Sequence, residues 1–303
     1  MLSCPRRVAA SLLLPALLLL GCGSDSGADD TDGAKTAASG VTVSGAPGKK
    51  PSVKTPAKDA PTALKVEVLR AGDGEKIRKG DLLVANYLGQ IWASNAVFDN
   101  SYDRGQPACF GIGVGQVIPG WDQGLVGQNV GSRVLLVIPP DLGYGEQGQP
   151  DAGIKGGDTL VFVVDLVDRF AGDLAASGTA TQEKLPAGVA SVSRNPGGKP
   201  ELTVEKGAKP PAKPAGAVVV AGDGDALDLK KTLVAQVQVV DLASGRTAYE
   251  TWGTAPRAVP VSQLPGLARA LDGQKVGCRV VLSLPAQTGQ GAVAVALDVV
   301  GTF

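Results

Sequence analysis

Residues 117–125 read VIPGWDQGL, and this short stretch decides how the first half of the chain is organised. Two aliphatic residues lead into a Pro-Gly pair, which is typical of a turn. Trp121, one of only three tryptophans in the chain, follows at once and lies one helical turn before Leu125. That spacing places both side chains on one face of a helix. The stretch predicts a strand, a turn and a short helix whose apolar face packs back on a sheet.

The same pattern occurs a second time further along the chain. PGWDQGLVGQNVGSRV, from Pro119, returns as PGLARALDGQKVGCRV from Pro265. VSGAPGKKP, from Val43, returns as VSRNPGGKP from Val192. AGDG, LVA and the last apolar strand also recur in the same order. Conserved order and spacing within one chain predict a tandem duplication of a single structural unit.

Each copy is rich in strands and contains one helix candidate. β-branched and apolar runs such as LKVEVLRAG and RVLLVIP are bounded by Gly, Pro and Asp, as strands commonly are. A short helix against an antiparallel sheet is an α+β domain. We predict a first domain over 41–172, with its core at 63–170, and a second over 190–303. The stretch 173–189, rich in Ala, Gly, Ser and Thr, is expected to be a linker.

The N-terminal residues have the features of an export signal. Arg6 and Arg7 precede an apolar run that is too short to span a membrane, and the run ends in LLGC. This resembles a bacterial lipobox, which predicts a signal peptide over 1–21 and lipidation of Cys22. The alternative is an ordinary signal peptide with a chance cysteine. Residues 22–40 are nearly free of apolar side chains and are expected to be a disordered tether.

Composition excludes several classes of function. The chain has no histidine, which excludes Ser-His-Asp and Cys-His nucleophiles, HExxH zinc sites and histidine acid–base chemistry. The 29 basic and 29 acidic residues balance, so no basic surface predicts nucleic-acid binding. We expect no metal and no cofactor. Cys109 and Cys278 lie in different predicted domains, which favours two buried free thiols over a disulfide.

Aromatic residues are concentrated in the first copy. Tyr249, Trp252 and Phe303 are the only ones outside it. Nine lie within 63–170: Tyr87, Trp92, Phe98, Tyr102, Phe110, Trp121, Tyr144, Phe162 and Phe170. Two copies of one fold need similar cores, so the excess indicates that some of these rings line a pocket.

Several motifs of the first copy together resemble one family. These are FD.S.DRG.P from Phe98, GQVIPGWDQGL from Gly115, G.R…IPP.LGYG from Gly131, and I…DTLVF.V.L from Ile154. In this order and spacing they are similar to peptidyl-prolyl isomerases of the FK506-binding-protein type. The resemblance implies two domains of that fold, each an antiparallel sheet wrapped around a short helix. It also implies catalysis without a cofactor on proline-containing polypeptides. It further indicates macrolides of the FK506 type as candidate ligands.

The resemblance also implies a role for each matching residue. Trp121 would form the floor of the pocket, Asp99 would pair with Arg104 at its rim, and Tyr144 would point its hydroxyl at a substrate carbonyl. The remaining residues would form the walls: Tyr87, Phe98, Val117, Ile118, Ile154 and Phe162. Taken one at a time, Trp121 and Phe98 are equally compatible with an ordinary core, and the Asp99–Arg104 pair with a surface ion pair.

The sequence departs from the family pattern at identifiable positions. Ala108 stands where many members have an aromatic residue, and Gln149 where many have histidine. The second copy departs further, with Leu267 at the floor position, Val237 in place of Tyr87, and a short PAQTGQG in place of the flap. Tyr249 and Glu250 are expected to correspond to Phe98 and Asp99. The second copy is therefore predicted to be folded but inactive.

These patterns lead to one main hypothesis and two rivals. The main one is a prolyl isomerase, anchored by lipid outside the cytoplasmic membrane of a Gram-positive bacterium, that assists the folding of exported proteins. The first rival is a non-catalytic chaperone that keeps the fold for binding clients. The second is a purely structural surface protein, which would have no hydrophobic cleft at Trp121.

Overall fold

The computed structural model describes residues 33–303 except 206, 265 and 288–290. The predicted signal peptide, Cys22 and most of the predicted tether lie outside this range. Within the described residues, no helix combines the length and the apolar character needed to cross a membrane. The strands and helices, in chain order, are β1 Lys35–Thr36, β2 Thr42–Ser44, β3 Ser52–Lys54, β4 Lys65–Arg70, β5 Leu82–Ile91, β6 Val97–Asn100, β7 Ala108–Gly111, α1 Pro119–Leu125, β8 Arg133–Ile138, β9 Leu160–Phe170, β10 Thr179–Ala180, β11 Val189–Ser191, β12 Thr203–Val204, β13 Ala215–Ala221, β14 Leu233–Asp241, β15 Thr247–Glu250, β16 Arg257–Val259, α2 Leu267–Leu271, β17 Arg279–Leu284 and β18 Val293–Thr302.

Two antiparallel sheets with the same strand order form the body of the protein. The first sheet has the order β4-β8-β9-β5-β6, with β7 also paired to β5. The second has β13-β17-β18-β14-β15, with β16 also paired to β14 and β10 added beside β13. Each sheet carries one short helix, so the predicted α+β class, with an antiparallel sheet around a short helix, is confirmed.

Helix α1 lies close against the first sheet. It begins at Pro119, where proline is well tolerated because the first helical N–H has no partner within the helix. Trp121 and Leu125 are both buried on its inner face. A Cβ atom added at Gly120 would lie 2.5 Å from Ile138 Cγ2, so glycine is what allows this close approach. The Asp122 carboxylate accepts hydrogen bonds from the backbone N–H groups of Gly113 and Gly115 and fixes the entry to the helix.

The opposite face of the first sheet is covered by the N-terminal segment. Strands β1, β2 and β3 form a small antiparallel sheet. Val41, Val43 and Val53 from this segment pack in one apolar cluster with Leu88, Trp92, Leu135, Val137, Val161 and Val163. The central strands of the first sheet are thus buried on both faces, which explains why every residue of β8 is buried. A second segment, with β11 and β12, covers the second sheet in the same way.

A buried ion pair fastens each covering segment to its sheet. Arg133 Nε lies 2.6 Å from Asp165 Oδ1, and its terminal nitrogens donate to the carbonyls of Gly45, Ala46 and Lys49. In the second sheet, Arg279 Nε lies 2.6 Å from Asp298 Oδ1. The Arg279 guanidinium donates to the carbonyls of Ser193, Asn195 and Gly198. Further hydrogen bonds of this kind are what a buried charge pair requires in order not to destabilise the fold.

The predicted tether over 22–40 is wrong at its C-terminal end. Strand β1 pairs with β2, and the Glu67 carboxylate accepts hydrogen bonds from the N–H groups of Ala38 and Ser39. Low apolar content did not prevent order here, because backbone hydrogen bonds hold the segment. The ordered part therefore begins before the predicted boundary at residue 41.

The stretch 173–189, predicted as a linker, contains a short strand. Strand β10 adds to the edge of β13, and the Ala176 N–H donates to Asp298 Oδ2 at 2.8 Å. Small residues are compatible with an edge strand when a neighbouring strand supplies the hydrogen-bond partners.

Cys109 and Cys278 are free thiols, and burial raises the pKa of each to about 12.

Candidate active site

An aromatic pocket opens on the helix-bearing face of the first sheet. Its volume is about 220 Å³. The residues that line it are Tyr87, Phe98, Asp99, Phe110, Gln116, Val117, Ile118, Trp121, Tyr144 and Phe162. Trp121 is 3% exposed and belongs to the core cluster of the first sheet, so it forms the base of the pocket rather than its entrance.

Three rings meet Trp121 edge to face. The ring centroids of Phe110, Phe162 and Tyr87 lie 4.8, 5.3 and 5.6 Å from that of Trp121. Phe98 packs on Phe162 in the same way, at 5.5 Å. Such pairs are favourable beyond their buried area and have defined geometry. The walls are thus held by contact with one another and leave an apolar space over Trp121.

Five separate elements contribute these rings. Tyr87 comes from β5, Phe98 from β6, Phe110 from β7, Trp121 from α1 and Phe162 from β9. Gly89 makes room for two of them, since a Cβ atom there would lie 2.7 Å from the rings of both Phe98 and Phe162. A residue without a side chain is therefore part of what keeps the pocket open.

A hydrogen-bonded triad closes one side of the rim. The Tyr87 hydroxyl donates to Asp99 Oδ2, and Arg104 donates to Asp99 Oδ1 at 2.6 Å and to the Tyr87 hydroxyl oxygen at 2.8 Å. Burial, together with the Asp99 carboxylate, raises the pKa of Tyr87 to about 12. Burial acts to raise the pKa of Asp99 as well, but the hydrogen bonds from Tyr87 and Arg104 outweigh it and lower that pKa. Asp99 is therefore ionised and Tyr87 protonated over the whole neutral range.

Tyr144 lies on the outer side of the pocket, in the loop between β8 and β9. It is 37% exposed, unlike the rings beneath it. Burial of part of its side chain, with the nearby Asp99 charge, raises the pKa of its hydroxyl. The hydroxyl is thus a protonated hydrogen-bond donor near the mouth of the pocket.

The structure brings most of the predicted site residues together. Eight of them line the pocket: Tyr87, Phe98, Asp99, Val117, Ile118, Trp121, Tyr144 and Phe162. Arg104 contacts the pocket through Asp99 and Tyr87, and lines an adjoining groove. Ile154 is not among the residues that line the pocket; it is 2% exposed and lies in the same core cluster as Trp121.

The sequence prediction missed Phe110 and Gln116 as pocket residues. Phe110 lies two positions after Ala108 on β7, so both side chains point to the same face of the strand. This period-two spacing could have identified Phe110. It supplies an aromatic wall on the strand where Ala108 stands in place of the aromatic residue found in many family members.

The positions of the second sheet that correspond to Tyr87, Trp121 and Phe162 are aliphatic. Equivalent strand positions give Val237 for Tyr87 and Val295 for Phe162, while Leu267 takes the place of Trp121 at the start of α2. Val237, Leu267 and Val295 belong to one packed apolar cluster, with Val259 at its edge. At these positions the second sheet has core where the first has a pocket.

The predicted correspondence of Tyr249 and Glu250 to Phe98 and Asp99 is wrong by one residue. In the first sheet Gly89 faces Asp99, whereas in the second Val239 faces Tyr249. The Tyr87 N–H donates to the Ser101 hydroxyl as the Val237 N–H donates to that of Thr251, which fixes the same alignment. Tyr249 thus corresponds to Asp99. A shift of one residue exchanges the two faces of a strand, so Tyr249 is not a remnant of the pocket wall.

The pocket is suited to binding an apolar ring with a neighbouring amide. The described residues include no cluster of Cys, Asp or Glu arranged to hold a metal ion. The pocket offers an apolar base, protonated hydroxyls at Tyr87 and Tyr144, and one ionised carboxylate at its rim. These groups can desolvate a ligand, and the Tyr144 hydroxyl can donate a hydrogen bond to it, whereas the Tyr87 proton is already donated to Asp99. They include no activated nucleophile.

Comparison with known proteins assigns this part of the chain to a family. The family model of the FKBP-type peptidyl-prolyl cis-trans isomerase matches residues 73–167. An FK506-binding protein of Streptomyces anulatus is 41% identical over 119 residues, which are 39% of this chain and 96% of that protein. FK506-binding protein 2B of Rhizopus delemar is 49% identical over 37% of this chain and 54% of its own length. The human peptidyl-prolyl cis-trans isomerase FKBP2 is 51% identical over 30% of this chain and 63% of its own length.

A solved structure, AtFKBP13, is also similar, with 36% identity, 37% of this chain and 96% of its own chain covered, and a TM-score of 0.34. The match to the Streptomyces anulatus protein covers nearly all of that protein at 41% identity. The chain therefore belongs to the family of FKBP-type peptidyl-prolyl cis-trans isomerases.

Proposed function

We propose that the pocket over Trp121 isomerises X-Pro bonds in exported polypeptides at the outer face of the cytoplasmic membrane. The observation that carries this proposal is an open, histidine-free aromatic pocket with protonated hydroxyls at its edge. An X-Pro amide is conjugated, and its rotation crosses a barrier of about 18–20 kcal/mol. A site that favours the twisted amide over both planar forms lowers this barrier without a nucleophile or a metal.

Each part of the pocket has a role in this mechanism. The proline ring rests on Trp121 between the walls formed by Phe98 and Phe162. The surrounding rings exclude water from the amide, which weakens the solvation that favours its planar, polar form. The Tyr144 hydroxyl donates a hydrogen bond to a substrate carbonyl at the mouth. Asp99, fixed by Tyr87 and Arg104, presents a constant negative charge beside the amide.

Replacement of Trp121 by leucine tests this function. The second sheet already has Leu267 at the equivalent position of its helix, so the substitution is compatible with the fold. We expect kcat/KM for X-Pro isomerisation in a protease-free assay to fall by at least about tenfold, equivalent to about 1.4 kcal/mol of transition-state stabilisation. Trp252→Phe, outside the pocket, is the matched control and should leave the rate unchanged. A wild-type rate at background, with the protein folded, contradicts the proposal.

A non-catalytic chaperone remains the second candidate. It is favoured by the second sheet, which keeps the strand order of the first although aliphatic residues stand at the positions of Tyr87, Trp121 and Phe162. A chaperone would suppress aggregation of an unfolded client equally well with Trp121→Leu. An isomerase would lose its effect on proline-limited refolding in the same variant. The open cavity at Trp121 argues against a purely structural surface protein, and FK506-type macrolides would compete for that cavity.

The location outside the membrane rests on the LLGC stretch alone. We propose that Cys22 carries a diacylglycerol and that residues 1–21 are removed. Metabolic labelling with a radioactive fatty acid should mark the wild-type chain and leave Cys22→Ala unlabelled. Labelling that persists in the variant would exclude Cys22 as the lipidation site.

A further inference from the structure

The loop that bears Arg104 is held from two sides. We call residues 101–105 the rim loop. Arg104 reaches from it into the pocket rim, where it donates to Asp99 and Tyr87. Two neighbouring side chains point the other way: the Tyr102 hydroxyl donates to Asp165 Oδ2 at 2.8 Å, and Asp103 accepts two hydrogen bonds from Lys50 Nζ, at 2.7 and 2.8 Å.

Both of those contacts lead to the N-terminal segment. Asp165 is buried and binds Arg133, and it also accepts from the Gly48 N–H at 2.7 Å. Arg133 in turn holds the carbonyls of residues 45, 46 and 49. A continuous set of hydrogen bonds therefore runs from the N-terminal segment through Asp165 and Lys50 to the rim loop.

Comparison with the second sheet shows which of these contacts belong to the fold and which are specific to the first half. There the Arg279–Asp298 pair holds its covering segment in the same way. At the position of Tyr102, however, stands Trp252, which has no hydroxyl, and at that of Asp103 stands Gly253. The buried pair occurs in both halves, and so does a lysine contact, since Lys199, the counterpart of Lys50, pairs with Glu250. The hydroxyl bond of Tyr102 to the buried aspartate is the part specific to the half that has the aromatic pocket.

Arg104 needs such support because its own ion pair is weak. The side chains of Arg104 and Asp99 are 46% and 43% exposed. Exposed pairs gain little free energy and must overcome the side-chain entropy lost in forming them. The Lys50–Asp103 pair, at 44% and 62%, is no less exposed, so the support comes chiefly from the Tyr102 bond to the buried Asp165. If the rim loop were free to move, Arg104 would leave Asp99 for part of the time.

We propose that Lys50, Tyr102 and Asp103 are positioning residues for the isomerase site. The N-terminal segment, to which Lys50 belongs, would then be required for full activity. The three residues act through the rim loop, and they keep Arg104 on Asp99 and Tyr87. Lys50 also lines, with Phe98 and Arg104, a groove of about 440 Å³ that adjoins the pocket. A polypeptide whose proline occupies the pocket would pass over this same loop. The inference rests on the proposed function of the pocket.

Tyr102→Phe and Lys50→Ala in the full chain test the proposal. We expect Tyr102→Phe to lower kcat/KM about three- to tenfold, because a misplaced charge at the rim weakens transition-state binding. Lys50→Ala should lower it less, because the ion pair that it removes is exposed. The midpoint of urea unfolding should hardly move for Lys50→Ala, whereas Tyr102→Phe removes a donor from the buried Asp165 and should lower it. The NMR signal of the Arg104 Nε–Hε group should shift or broaden, which a merely structural role would not cause. Lys50→Arg should restore the wild-type rate, and Trp252→Phe is the control in the second half.

Two results would overturn the inference or separate it from the proposed function. If both variants keep kcat/KM within about twofold of wild type and leave the Arg104 signal in place, the connection does not position the rim. If the wild-type chain itself has no isomerase activity, the proposed function fails. In that case, comparing the Arg104 NMR signal of the wild type with that of the variants still shows whether the N-terminal segment holds the rim loop.

Discussion

At the scale of single residues, the pocket is built from groups that do not titrate near neutral pH. Hydrogen bonds from Tyr87 and Arg104 lower the pKa of Asp99, whose contribution to stability is lost only as the pH falls through this lowered value. The pKa of Tyr87 is raised to about 12, so its contribution is complete below its ordinary value and is lost as the pH rises towards about 12.

We therefore expect kcat/KM to be constant from about pH 5 to about pH 9, the range between these two titrations. The absence of histidine removes the residue that commonly titrates in between. The measurement is the isomerisation rate of one X-Pro peptide in a series of buffers at constant ionic strength. A bell-shaped profile centred near neutrality would contradict the expectation.

Gly89 leads to a second prediction at this scale. A valine there, as at Val239 in the second sheet, would drive its side chain into the rings of Phe98 and Phe162. We expect Gly89→Val to destabilise the protein by about 1–3 kcal/mol through overpacking, and to lower kcat/KM by closing the pocket. Val239→Ala is the matched control and should leave the rate unchanged. Wild-type kinetics for Gly89→Val would show that the pocket does not depend on this space.

At the scale of elements, the small sheet β1–β3 belongs to the hydrophobic core. Val43 is 3% exposed in the cluster behind the first sheet, whereas Lys54 on the same small sheet is exposed. We expect Val43→Asp to lower the free energy of unfolding by about 3 kcal/mol or more, because it buries a charge without a partner. Lys54→Asp should change it by less than about 0.5 kcal/mol. Urea unfolding followed by circular dichroism measures both, and equal effects would mean that the small sheet is not packed.

The elements differ in how well sequence could predict them. Helix α1 and the strands beside it follow from local signals, namely the Pro-Gly turn, the Trp121 to Leu125 spacing and the β-branched runs. The covering segment does not, because its order depends on Arg133 and Asp165, which lie far along the chain. A signal did exist: β8 and β9 are apolar at nearly every position, and a strand exposed on one face alternates instead.

The pocket, too, could be predicted only in part: the types of the lining residues followed from the sequence, whereas the register of the strands did not. Resemblance to the family identified eight of the lining residues, because their types and spacing match it. The resemblance also assigned Ile154 to the wall, a residue that lies in the same core cluster as Trp121. It also misaligned Tyr249, because a repeat with insertions does not define strand register. Register depends on contacts between strands, such as the bond from Val237 to Thr251.

At the scale of the whole molecule, the two sheets have different tasks under our proposal. Leu267 is fully buried in α2, at the position that Trp121 has in α1. We expect Leu267→Ala to lower the free energy of unfolding of the second sheet by about 2–5 kcal/mol while kcat/KM stays at the wild-type value. Denaturant unfolding and the isomerisation assay on the same preparation check both parts. If Leu267→Ala lowers kcat/KM while the protein stays folded, the second sheet takes part in catalysis.

The buried pair Arg133–Asp165 also has a consequence for how the chain acquires its structure. Gly48 is 117 positions before Asp165, and Ala176 is 122 before Asp298. Contacts so distant along the chain make folding slow, because a long loop must close before they form. In a chain that emerges from its N-terminus, the segment around Gly48 can reach Arg133 on β8 first and gains its contact to Asp165 only when β9 has followed. Each half is therefore completed by its last strand.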